Sequence, residues 1–205
     1  MPLYKTIQPK DNAQVLIWKI TEDLPFFEAI NLTENSLHRV QNMKSVTHKK
    51  GFLSVRFLLK ELGYNDADLF YTNDGKPHLK DGKRISITHS FDFSAIIVSD
   101  VVAGIDIEKN RGKIVKIASK FIGKEEKFLQ KENVIEQLTV IWGAKESLFK
   151  IHPNGGLLFK KHLPIEPFKL SDKQTKGWII KDDFYEVYRI YFEKIEDYTL
   201  VYAIN

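Results

Sequence analysis

The sequence predicts an α+β fold. In each half of the 205-residue chain, helix-patterned segments come first and strand-patterned segments follow. Consecutive strands are not separated by helices, so the order does not read as an alternating parallel sheet. The C-terminal stretch is dense in aromatic and β-branched residues, the composition of antiparallel strands. A boundary near Asp100 divides the chain into an α+β half over 1–100 and a second over 101–205. No residue-level repeat links the two, and no low-complexity segment or linker separates them.

The elements follow in order. "QVLIWKI" alternates as a strand. "LPFFEAINLTENSLHRVQNMKS" reads as one or two short helices, with Pro25 suited to a first turn and Thr33 to a cap. "VTHKKGFLSVRFLLKELGY" is the clearest helix of this half: Phe52, Val55, Leu59 and Leu62 recur at helical spacing and Gly63 ends it. "NDGKP" is turn chemistry, and "RISITHS", "FSAIIVSD" and "AGIDIEK" are strands. "GKIVKIASKFI" and "KEEKFLQ" look helical. "NVIEQLTVIWGAKESLFKI" is a long amphipathic helix with Val134, Leu138, Ile141, Leu148 and Phe149 among its apolar members, closed by "HPNGG".

Composition narrows the function classes. With 43% hydrophobic and 28% charged residues the chain can bury a core of its own. It has no cysteine, which removes disulfides, thiolate metal sites and thiol nucleophiles. "MPLYKTIQPK" lacks the apolar core of a signal peptide, and no apolar run approaches the roughly 20 residues of a spanning helix. A soluble, cytoplasmic protein is expected. The net charge of +4 suits nucleic acid, an acidic protein or a phosphorylated small molecule, and is too mild to choose among them.

Three clusters could carry chemistry. Asp106 and Glu108 stand two apart in the strand "AGIDIEK", so both carboxylates point to one face. They repel unless a cation lies between them. Hard oxygen ligands suit Mg²⁺, and Gly104 leaves room for a ligand or another backbone. A strand end meeting solvent is the plain alternative. In the long helix Glu146 and Lys150 share a face, which is either a routine surface pair or the polar lining of a cleft. His89, between Thr88 and Ser90 at the end of "RISITHS", is either a surface histidine or a phosphate contact with hydroxyls beside it.

"GIDIE" followed by "WGAKESLFK" resembles the two-part signature of the 4'-phosphopantetheinyl transferase superfamily, and "GKPHL" and "SITHS" resemble two further motifs of its larger, Sfp-type branch. The resemblance covers Gly75 through Lys150, weaker on either side. One departure is Gly143, where the family commonly has a small hydroxyl or thiol residue.

The resemblance implies an α+β monomer of two similar halves related by a pseudo-two-fold, with coenzyme A in the cleft between them. It implies a Mg²⁺-dependent enzyme that moves 4'-phosphopantetheine from coenzyme A to a serine of an acyl- or peptidyl-carrier protein, releasing adenosine 3',5'-bisphosphate. By resemblance Asp106, Glu108 and Glu146 hold the metal, and Lys150 neutralises the pyrophosphate. His89 with Thr88 binds a phosphate of coenzyme A, expected to be the 3'-phosphate, and Lys76 faces the nucleotide. Lys50 and Arg56 reach further phosphates, with a basic helix surface as the alternative. The base that takes the serine proton is Glu146 or Glu126, the latter blurred by Glu125 beside it. The partner is an acidic carrier protein, and neither nucleic acid nor membrane. Two other readings compete: a degenerate member that binds coenzyme A without transfer, and a basic nucleic-acid-binding module using the aromatic "FYEVYRIYF" as a stacking platform. The second leaves the acidic cluster unexplained.

Overall fold

A computed structural model describes residues 3–152 and 155–205. Met1 and Pro2 of the N-terminal stretch, and Pro153 and Asn154 of the "HPNGG" helix stop, lie outside the described residues. The chain forms two compact units, Met1–Val101 and Val102–Asn205. Each combines helices with an antiparallel sheet, as an α+β fold requires. Among the described residues no helix is long and apolar enough to cross a membrane.

In the first unit, β1 (Leu3–Lys10), β2 (Ala13–Lys19), β5 (Arg84–Ser90) and β6 (Phe93–Ser99) make a sheet of order β1-β2-β6-β5. β1 is absent from the sequence expectation. It is an edge strand of mostly polar, exposed residues, so no apolar alternation marks it. β6 is buried along its whole length, as the run "FSAIIVS" demands. Helices α1 (Leu24–Glu28) and α2 (Glu34–Asn42) precede α3 (Val46–Glu61), which packs on β2, β5 and β6. Phe52, Val55 and Leu59 enter the core, as their spacing predicts. Thr33 caps α2 by accepting from the Ser36 amide. Gly63, at φ +82°, ends α3: its amide donates to the Lys60 carbonyl and that of Tyr64 to Leu59, the paired bonds of a left-handed helix stop. A small hairpin, β3 (Leu69–Tyr71) with β4 (Pro77–Leu79), carries the "NDGKP" turn.

In the second unit, β7 (Ala103–Lys109), β8 (Gln174–Lys181), β9 (Phe184–Ile195) and β10 (Tyr198–Ile204) form a sheet of order β7-β10-β9-β8. The long helix α5 (Val134–Ile151) lies on it and buries Leu138, Ile141 and Leu148 against Ile179, Ile190 and Val201. The two segments expected as helices before it are broken up. Only α4 (Lys113–Ile117) is α-helical, and short 3-10 turns at 118–120 and 124–128 follow. Tertiary ties overrule the local pattern here: Phe121 is fully buried, and its carbonyl accepts from the Lys145 side chain. A last short helix, α6 (Phe159–His162), leads into β8.

Candidate active site

The geometry of the second unit starts from a glycine. A Cβ on Gly104 would lie 2.0 Å from the Ser147 carbonyl oxygen, so only glycine lets the α5 backbone press against β7. The close neighbour that the sequence left open is thus a helix. The Ser147 hydroxyl donates to the Val201 carbonyl at 3.2 Å and fixes the register of α5 on β10. The neighbouring helical turns are then committed: Gly143 lies over Val201 and Asp106, and Lys150 reaches the Asp106 end of β7.

The Lys150 ammonium donates to the Ile105 carbonyl at 2.7 Å and to Asp106 Oδ1 at 2.9 Å. Asp106 is buried, while Glu108 and Glu146 are half-buried. Burial, then the charge of Asp106, pushes the Glu146 carboxyl up to about 7; Lys150 opposes the shift and Glu108 adds to it. Strand and helix therefore bring Asp106, Glu108, Glu146 and Lys150 into one electrostatic set. That set has more negative charge than Lys150 offsets at Glu146. A hard divalent cation fits the imbalance and the oxygen donors. Among the described residues, however, no group of three or more His, Cys, Asp or Glu is arranged to hold a metal unaided. Mg²⁺ commonly uses one or two carboxylates and completes its shell with phosphates and water, which suits such a set.

The raised Glu146 has a consequence for stability. Between the ordinary 4.5 and about 7 the folded protein holds a proton there that the unfolded chain has lost. Stability of the metal-free protein should therefore fall as pH rises through that window. Glu146→Gln cannot titrate and should flatten the fall, by on the order of 2 kcal/mol between the ends of the window. Parallel melting profiles of wild type and Glu146→Gln across it would contradict the shift.

Gly143, the departure from the family pattern, has a local cause. A Cβ there would meet Val201 Cγ2 at 2.7 Å and Asp106 Oδ2 at 3.6 Å. Val201 is fully buried and fills the room a side chain would need. Gly143→Ser should cost about 1–3 kcal/mol by overpacking. Val201→Ala should recover most of that in the double variant, although alone it destabilises. Additive losses in urea unfolding would show that the two side chains do not compete for space.

The adjacent acids at the start of "KEEKF" part company. Glu125 turns inward: its Oε1 accepts from the Lys145 ammonium at 2.7 Å and from the Ile165 amide at 3.1 Å, and Oε2 from the Gly123 amide at 2.8 Å. Lys145 also donates to the carbonyls of Phe121 and Phe159. Burial lowers the Lys145 pKa, and Glu125 opposes the shift. Glu126 is exposed. The first lysine of "WGAKESLFK" is thus an internal tie, a role that the motif does not announce.

In the first unit His89 is exposed at the end of β5, and Thr88 beside it is buried. α3 passes close by: a Cβ on Gly51 would come within 3.0 Å of the His89 ring. The His48 ring, from the first turn of α3, lies with its centroid 6.1 Å from that of His89. Sequence reasoning missed His48, since spacing relates residues only within an element. Lys50 is half-buried on α3. Lys76 is half-buried after Gly75, which turns the β3–β4 hairpin at φ +83°. Burial lowers the Lys76 pKa, and Asp74 works against the shift.

Arg56 requires a correction. It is 3% exposed, not on a basic surface. Its Nε donates to Asp66 Oδ1 at 2.9 Å, Nη1 donates to the Phe52 carbonyl, and its guanidinium stacks 3.5 Å from the Phe52 ring centre. Burial alone would raise the Asp66 pKa, but bonds from Thr33, Arg56 and Ser36 outweigh it and hold the carboxyl below its ordinary range. The guanidinium is spent on the interior of the unit, so Arg56 is dropped as a phosphate ligand.

Comparison with known proteins bears on the second unit directly. The sequence model of the 4'-phosphopantetheinyl transferase superfamily matches residues 103–203, from the first residue of β7 almost to the end of β10. The 4'-phosphopantetheinyl transferase gsp of Aneurinibacillus migulanus is 30% identical over 142 residues. That match covers 66% of this chain and 58% of the relative, so the chain spans little more than half the length of the curated protein it matches.

Proposed function

We propose, on the match of residues 103–203 to the 4'-phosphopantetheinyl transferase superfamily, that the protein transfers 4'-phosphopantetheine from coenzyme A to a serine of an apo acyl- or peptidyl-carrier protein. The observation that carries the proposal is the set formed where α5 crosses β7: Lys150 bonded to Asp106, with Glu146 pushed up to about 7 beside them.

In this reading the serine hydroxyl oxygen bonds to the β-phosphorus of coenzyme A. The bond from that phosphorus to the bridging oxygen breaks, and adenosine 3',5'-bisphosphate leaves with the electron pair. Asp106, Glu108 and Glu146 would hold Mg²⁺, which when bound neutralises the diphosphate. Glu146 takes the serine proton, directly or through water, as a carboxylate set beside Asp106 and Lys150 where the reacting oxygen would lie. Glu126, exposed on its 3-10 turn, is not needed as the base. Lys150 supplies positive charge as the leaving oxygens become negative. His89 with Thr88, Lys50 and Lys76 binds the nucleotide phosphates. The net charge of +4 favours approach of an acidic carrier. The protein works as a cytoplasmic monomer, with neither nucleic acid nor membrane as partner.

Release of adenosine 3',5'-bisphosphate from coenzyme A, dependent on both apo-carrier and Mg²⁺, tests the proposal. Coenzyme A binding without any release would favour a degenerate, binding-only protein. The assignment of His89 has its own check. His89→Ala should weaken coenzyme A by about tenfold or more and dephospho-coenzyme A, which lacks the 3'-phosphate, much less. Equal losses for the two ligands would remove the 3'-phosphate role.

A further inference from the structure

We propose that Lys150 is the resident counter-ion of Asp106 and gives up that place when a divalent cation binds, so that one ammonium serves two stations in turn. The inference rests on the reading of Asp106, Glu108 and Glu146 as metal ligands.

The Lys150 Nζ stands 2.9 Å from Asp106 Oδ1 and 2.7 Å from the Ile105 carbonyl oxygen. Asp106 is 5% exposed, so water screens its charge poorly. Without the ammonium, Asp106 would lie buried beside two other carboxylates. With it, the carboxylate stays paired and aimed before any metal arrives. A Mg²⁺ ion binds a carboxylate oxygen at about 2.1 Å. An ammonium already hydrogen-bonded to Oδ1 crowds and repels a second cation there, so the two compete.

The helix cannot resolve that competition, because Gly104 and Ser147 lock α5 to β7 one turn away. The lysine stem can. It is a flexible four-carbon chain with its side chain 28% exposed, so the head can leave Asp106 without disturbing the core. Displaced, the ammonium becomes available to phosphate oxygens at the time the metal brings them in. Metal occupancy would thereby switch Lys150 from holding a carboxylate to neutralising the donor.

Manganese binding without coenzyme A tests this, followed by calorimetry on wild type, Lys150→Met and Lys150→Gln. Lys109→Met serves as the control for loss of charge alone, since Lys109 is on β7 with Asp106 but pairs with Asp197 at 3.0 Å. A counter-ion at this range changes the cation affinity of a carboxylate by about 10- to 1000-fold. Lys150→Met should therefore bind Mn²⁺ at least about tenfold more tightly than wild type, and Lys109→Met should change little. A crystal of the wild-type protein soaked in Mn²⁺ gives a second readout that needs no variant. The ion, located by anomalous scattering, should sit on Asp106, with Lys150 Nζ beyond hydrogen-bonding distance of Oδ1. Unchanged or weaker Mn²⁺ affinity in Lys150→Met, equal tightening in both methionine variants, no Mn²⁺ binding at all, or an intact Lys150–Asp106 bond beside bound Mn²⁺ would each overturn the proposal. Transfer to carrier is scored separately. Failure of the exchange with transfer intact removes this inference alone, and failure of transfer with the exchange intact removes the transferase reading alone.

Discussion

Asp106→Asn should all but abolish transfer while the protein stays folded. Turnover is expected to fall by on the order of a thousandfold, the scale of losing a central electrostatic group at a phosphoryl site. Asparagine keeps the shape of the side chain and removes its charge. The change relieves repulsion at Glu108 and Glu146, whose carboxyl is raised in part by Asp106. It also weakens the hold on Lys150. The two effects on stability oppose each other, so the gain expected from repulsion alone should not appear, and the melting temperature should move by only a few degrees. Transfer within about tenfold of wild type by a folded Asp106→Asn protein would remove the carboxylate from the site.

Lys145→Met should produce the largest loss of stability. Lys145 and Glu125 are 0% and 2% exposed at their side chains and 2.7 Å apart. Methionine fills a similar volume but leaves the Glu125 carboxylate buried with only the Ile165 and Gly123 amides. Breaking a buried pair by removing one partner costs about 3–5 kcal/mol, or roughly 6–20 °C in melting temperature for a chain of this size. The loosened segments are those held by Lys145 around Phe121 and Phe159, so protease sensitivity should rise there first. Glu125→Leu combined with Lys145→Met should recover much of the loss, because neither charge is then stranded. A loss below about 1 kcal/mol in Lys145→Met would mean that the pair is solvated in solution.

Much of this was legible in the sequence wherever one element relates its own residues. The two-residue spacing of Asp106 and Glu108 put both on one side of a strand, and Glu146 and Lys150 fell on one helical face. Gly63 ended its helix where glycine should. What spacing could not reveal was which elements meet. Arg56 reads as one more cation on a basic helix, and its partner Asp66 belongs to the turn after α3. Glu125 and Glu126 are chemically identical neighbours, and only the inward turn of the chain toward Lys145 separates them. His48 has no motif around it and gains interest only from the ring of His89 nearby. The edge strand β1 went unseen because its residues are mostly polar, as exposed edges require. Gly143 looked like a departure from a family pattern until Val201, which occupies the space, was in view.

The most direct measurement is the intact mass of a carrier protein. A panel of apo acyl- and peptidyl-carriers is incubated with the protein, coenzyme A and Mg²⁺, each beside a variant whose acceptor serine is alanine. The account predicts that at least one carrier gains the mass of a single phosphopantetheine, and that its alanine variant and the reaction with Asp106→Asn gain none. Coenzyme A left intact by the wild-type protein across the whole panel, or a mass gain that survives loss of the serine, would contradict it.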